Sequence, residues 1–234
     1  MKEVIKPTYA ELETRVQELQ QELDSRPDIQ FHPVPYINNL YSYINDPTPE
    51  NMFTVGLEYE KMGQTASAIG YFHQCAERAV DNDLLTYEAL LRMSLCYERQ
   101  GGRKAHERIA LNHAISVMPN RPEAYYLLSS LYERQGAEDN HERWFDSYTI
   151  ACIGEEIGLK TSDNIPPLKT DVEYYGVHAC TFQKAVALWW TGRGDDARTL
   201  FKELDKRNDF PANIRDLITN NIKMLETNEG RQPE

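Results

Sequence analysis

Two histidine–cysteine pairs, His73-x-Cys75 and His178-x-Cys180, and one acidic triplet, Asp81-Asn82-Asp83, are the residues whose types and spacing could hold a metal. Imidazole and thiolate suit zinc, and an Asp-x-Asp arrangement suits a hard divalent cation. The spacing weighs against both. Residues two apart on a helix point about 200° away from each other, so neither pair chelates alone and a zinc site requires the two pairs to converge. Asp and Asn at the end of a helical segment are ordinary ending and capping residues. The four cysteines, Cys75, Cys96, Cys152 and Cys180, lie far apart among small and apolar neighbours and read as buried free thiols. There is no glycine-rich phosphate loop, no readable Ser-His-Asp or Cys-His neighbourhood, and no carboxylate pair outside surface helices. Neither catalysis nor a cofactor nor a metal is expected.

The elements that carry these residues follow one recurring spacing: Gly56-x-x-Tyr59, Ser94-x-x-Tyr97 and Ser129-x-x-Tyr132, followed by Gly63, Gly101 or Gly102, and Gly136. A small residue three positions before an aromatic lets two antiparallel helices approach closely, the ring fills the gap beside them, and the glycine closes the hairpin. Pro119, Pro122, Pro166, Pro167 and Pro211 fall between periodic segments, where turns and helix starts accept them. With no convincing alternation of apolar and polar residues, no sheet is expected. The fold class is all-α: an irregular solenoid of about four helical hairpins with an N-terminal coiled-coil helix and a C-terminal capping helix, residues 214–225.

Met52-x-x-Val55-Gly56-x-x-Tyr59 with Ala68-x-x-x-Phe72-x-x-Cys75 resembles the tetratricopeptide repeat. Degenerate copies follow: Leu90, Met93, Ser94 and Tyr97 with Ala114 and Pro119; Tyr125, Leu128, Ser129 and Tyr132 with Tyr148 and Ala151; and Ala185, Leu188, Gly192, Ala197, Phe201 and Leu204. The resemblance implies that the first helix of each hairpin lines a concave groove for a protein or peptide partner. Onto this chain it carries Phe53, Leu57 and Lys61; Leu91, Leu95 and Arg99; Tyr126, Ser130 and Arg134; and Phe182, Val186 and Trp190. The pairs Glu60-Lys61, Glu98-Arg99 and Glu133-Arg134 would form a charged rim beside an apolar floor. The groove lacks the asparagines of scaffolds that capture C-terminal carboxylates, which argues against that role. Trp189 and Trp190 cannot face the same way, so one is expected in the core and the other at the surface. The second half also resembles the tetratricopeptide segment accompanying certain glycosyltransferases. It implies an accessory module without the catalytic α/β domain, for which the chain has no strand-rich region.

Ahead of the repeats, Ile5, Tyr9, Leu12, Val16, Leu19 and Leu23 are spaced 4, 3, 4, 3, 4, a heptad seam on a helix rich in Glu and Gln. An identical helix is the expected partner, giving a homo-oligomer. Arg15-Val16-x-x-Leu19-Gln20 resembles a trimer-favouring pattern, with glutamine in place of glutamate, so trimer and dimer both stay open. The alternative is that the stripe packs on its own repeat body. The expected organisation is a coiled-coil helix over 1–26, a proline-rich linker over 27–48, a repeat domain over 49–226 and a disordered tail over 227–234. The linker carries a docked helix with Ile37, Leu40, Tyr41 and Ile44 on one face.

A formal net charge of −12 over 234 residues repels phosphate backbones and anionic membrane surfaces, so neither nucleic acid nor membrane is an expected partner. No apolar run approaches the roughly 20 residues of a membrane span, and the N-terminus has no secretory signal, so a cytoplasmic location is expected. The expected function is a non-catalytic scaffold or adaptor, multimerised by its first helix. The alternatives are a structural subunit of a larger particle such as a virion, located there, or an accessory module of a glycosyltransferase system.

Overall fold

The structure, a computed structural model, describes residues 14–18, 21, 34–138, 140–161, 165–207 and 210–227, with the side chains of 34–37 set aside. The seam residues Ile5, Tyr9, Leu12, Leu19 and Leu23, linker residues 27–33, the side chain of Ile37 and the tail from 228 on lie outside these. Val16, on the short helical stretch α1 (14–18), is 47% exposed.

Among the described residues the fold is all-α. A helix α2 (Val34–Asn45) leads into four hairpins: α3 (Pro49–Lys61) with α4 (Thr65–Arg78), α5 (Asp83–Gln100) with α6 (Lys104–Val117), α7 (Glu123–Glu138) with α8 (Arg143–Thr161), and α9 (His178–Trp190) with α10 (Gly194–Asp205). Then α11 (Ala212–Thr227) closes the stack. Each helix from α2 to α11 packs on the next, and α3 meets α5 as α7 meets α9, so the chain winds as a solenoid.

Local chemistry sets the helix ends. Thr48 accepts from the Asn51 amide at 3.3 Å with Pro49 in the first turn of α3, and Gly63 turns the chain at φ +72°. Asn82 caps α5 by accepting from the Leu85 amide at 3.1 Å, so the acidic triplet serves as a helix start. The small residues of the recurring motif lie at close approaches. A Cβ on Gly56 would stand 2.7 Å from the Phe72 ring, and Ser129 exchanges hydrogen bonds with Ser147 across α7 and α8. Gly136 departs from expectation: it lies inside α7, not at a hairpin turn, and makes room for Trp144, whose ring a Cβ would meet at 2.8 Å.

The docked helix α2 also corrects the expected face. Tyr41 and Ile44 are exposed at 40% and 63%, while Tyr43 turns inward to meet the Tyr71 ring edge-on at 5.3 Å. Two cores result. One joins the first three hairpins through Met52, Phe72, Tyr87, Leu91, Leu111 and Leu128; the other joins the fourth hairpin to α11 through Phe182, Leu188, Phe201, Leu204, Ile218 and Leu225. No helix among the described residues is long and apolar enough to cross a membrane.

Candidate functional site

The first helices of the hairpins define the inner face, and most of the expected apolar floor is core. Phe53, Leu91, Leu95 and Phe182 are 3%, 0%, 3% and 7% exposed, because neighbouring helices close over them. Leu57 and Val186 are half-buried against the same cores. Trp189 lies half-buried in the second core, while Trp190 keeps 36% exposure and stacks on Trp144 at 5.1 Å.

The recurring acid–base pairs do not form a free rim; their acids reach forward to the next hairpin. Buried Glu60 holds Arg92 at 2.6 Å and Arg99 at 2.5 Å, both on α5. Glu98 on α5 meets Arg134 on α7 at 3.0 Å, and Arg134 also pairs with buried Glu107 on α6. The third acid, Glu133, feels Gln183 on α9, which favours its charged form. Burial pushes the carboxyls of Glu107 and Glu133 up, with Arg134 pulling both back. Lys61 stays exposed and pairs within its own helix with Glu58. Ion pairs that link repeats fix how the hairpins stack, which makes Arg99 and Arg134 clasps between repeats.

Across this face runs a non-helical strap, residues 165–175, between α8 and α9, bent at residues 169, 170 and 173. Glu88, fully buried on α5, accepts from the amides of Lys169 at 3.0 Å and Thr170 at 2.6 Å and from the Thr170 hydroxyl at 2.6 Å. Arg92 donates to the Asp171 carbonyl and Arg121 to the Pro166 carbonyl, each at 2.7 Å. Arg121, 2% exposed, also grips Glu123 at 2.5 Å and lies 5.5 Å over the Tyr87 ring. The Tyr87 hydroxyl donates to Glu123 and accepts from the Ala124 amide, so this buried network has matched donors and acceptors. Val172 is 3% exposed in the first core, with Leu168 and Tyr174 packed against it. Lys169, Asp171 and Glu173 point outward and are exposed. Each charge-assisted bond to main chain contributes about 1.5–3 kcal/mol, and burying one valine about 1.5–3 kcal/mol.

Beside the strap opens a cleft of about 450 Å³ lined by Tyr126, Asp171, Glu173, Tyr174, Tyr175 and Ile214, among others. Tyr126 touches Tyr174 and Tyr175 ring to ring at 5.7 Å each. Burial raises all three phenols, Tyr126 to about 12, so they stay protonated hydrogen-bond donors near neutral pH.

The possible metal ligands remain apart. His73 is exposed and 3.4 Å from Glu77, while Cys75 is buried on the same helix. Burial pushes the thiols of Cys75, Cys96 and Cys180 up to about 12, which keeps them protonated. Among the described residues no group of three or more His, Cys, Asp or Glu could hold a metal ion.

Sequence reasoning missed Glu88, Arg92 and Arg121, the residues that hold the strap. The available signal was the alternation Leu168, Thr170, Val172, Tyr174 against Lys169, Asp171, Glu173, a period of two just after Pro166-Pro167. No family model matches the chain, and no curated protein does so at a significant level, so the functional reading rests on this geometry.

Proposed function

We propose that the chain is a non-catalytic helical-repeat adaptor of the tetratricopeptide type, engaging a protein segment on its inner face and multimerised through residues 1–26. The observation that supports it is the inner face itself. Its Glu88, Arg92 and Arg121 already hold main-chain amides and carbonyls of the protein's own residues 166–171, which is the chemistry of peptide recognition and serves neither a phosphate backbone nor a lipid. The cleft of Tyr126, Asp171, Glu173 and Tyr174 continues that surface toward α11. Multimerisation rests on the heptad spacing and on Val16, nearly half exposed on α1. Linking weak sites through one helix raises overall binding without a new contact.

A photoreactive benzoyl-phenylalanine at Asn213, exposed on α11 at the cleft of the inner face, is compared with one at Ile109, 66% exposed on α6. In native lysate the expected result is a distinct protein adduct from position 213 that position 109 does not give. Equal labelling from both would remove the partner from the inner face. Light scattering tests the multimer: the full chain should be a dimer or trimer and residues 27–234 a monomer. A monomeric full chain overturns that part.

A further inference from the structure

We infer that residues 165–174 are a tethered occupant of the partner site: the groove on α5 and α7 reads a non-helical, bent segment through its main chain, and a partner's segment binds there by displacing the strap. This rests on the adaptor reading and names its site and ligand class. The bonds that hold the strap go to the Pro166 and Asp171 carbonyls and to the successive Lys169 and Thr170 amides, which the bend at 169 and 170 turns toward one carboxylate, an arrangement open to any segment that can bend there without proline at the amide positions. Selectivity enters through the inward side chains at 168, 170 and 172. Leu168 packs on the first core, the Thr170 hydroxyl reaches Glu88, and Val172 is buried. The ligand class is therefore a peptide that bends at a hydroxyl residue flanked, two positions to either side, by aliphatic residues.

The strap is built to leave. Of residues 165–175 only Val172 is buried, whereas the helices beneath it bury whole faces. Glu173 is held in the left-handed region at φ +65°, an unfavourable conformation for a residue with a side chain, and release relaxes it. Gly176, at φ +102°, provides a swivel just before α9. A tethered occupant competes at a high effective concentration, so the intact chain should bind a free segment weakly and a loosened chain tightly.

The probe is a labelled peptide of residues 165–175, titrated by fluorescence anisotropy into the full chain and into a full-chain variant with Thr170→Ala and Val172→Ser. The variant should bind at least about tenfold more tightly than the parent, and a peptide carrying the same two substitutions should lose that gain. Equal affinity of parent and folded variant overturns the proposal. Hydrogen exchange on the unmodified chain decides the matter even where the variant fails to fold. The Lys169 and Thr170 amides should exchange through a local opening, at least about a hundredfold faster than amides in the middle of α5. Exchange only through global unfolding would make the strap a permanent part of the core and end the idea. Peptide binding and fast exchange without any cross-link from position 213, which stays in place when the strap leaves, would keep the displaceable strap and discard the adaptor reading.

Discussion

At the junction of the first two hairpins, α3 packs directly on α5, and Glu60 clasps two arginines of the next repeat. At the junction of the second and third, α5 and α7 are joined by polar bridges, Tyr87 to Glu123 and Glu98 to Arg134, and the strap covers the opening between them. The first junction thus closes helix on helix around one buried ion cluster, while the second leaves room for a segment of the chain itself. Glu88 and Arg121 lie where main-chain amides and carbonyls need partners, because a strap outside any helix satisfies none of its own. The first junction is stacking; the second is stacking with a strap of the chain held across it.

The largest expected effect breaks the second junction. Arg121→Ala leaves Glu123 buried without its cation and strips the Pro166 carbonyl of its donor, a loss of about 3–5 kcal/mol in urea unfolding. Glu60→Gln at the first junction leaves Arg92, with 14% side-chain exposure, and Arg99, with 44%, closer to solvent, and should cost about 1.5–3 kcal/mol. Equal losses at the two sites would erase the contrast.

Packing gives the next effect. A Cβ on Gly154 would stand 2.9 Å from the Tyr125 Cβ and 2.8 Å from the Cys180 Sγ, so Gly154→Ala should lose about 1–3 kcal/mol as α8 is pushed from α7 and α9. Gly70→Ala, facing open space on α4, should instead gain up to about 1 kcal/mol from helix propensity. A stabilising Gly154→Ala would mean that the third hairpin is looser than its side chains imply.

How much of this was legible in the residues differs between the two junctions. Hairpin order, the close approach at Gly56 and the burial of Cys75 follow from small residues and 3.6-residue periodicity, signals that local helix geometry writes into the sequence. The direction of Glu60, Glu98 and Glu133 did not follow, because an acid beside a base on one helix reads alike whether it meets solvent or the next repeat. The strap was hidden for a different reason. Its period-two alternation spans only residues 168–174 and forms no ladder with another strand, so a search for sheet passes over it. Its partners, Glu88 and Arg121, lie roughly 80 and 45 residues away in the chain, beyond any local pattern.

Titration tests a further junction, where Glu133 on α7 faces α9. Burial raises the Glu133 carboxyl, while Gln183 and Arg134 pull the other way. A carboxyl that holds its proton more tightly folded than unfolded contributes most below the unfolded value of about 4.3, and that contribution fades as pH rises through the folded value. Glu133→Gln should therefore improve relative to the parent between pH 4 and pH 7. Glu107, raised by burial in the same direction, should behave alike. A Glu133→Gln variant that falls behind the parent over this range would show that the carboxylate is stabilised where it lies.

The smallest expected effect tests whether the cations once grouped together really differ. Lys61 has 70% side-chain exposure and pairs only locally with Glu58, so solvent and salt screen it, and Lys61→Ala should change stability by less than about 0.5 kcal/mol. It occupies the same motif position as Arg99 and Arg134, both of which reach acids outside their own helix. The difference lies in reach and neighbourhood: α3 begins the stack of hairpins, and among the described residues no hairpin precedes it, so Lys61 has no preceding repeat there whose acid it could clasp. A loss near 2 kcal/mol on Lys61→Ala would mean that α2 or the segment before it supplies such an acid, extending the clasp by one unit toward the N-terminus.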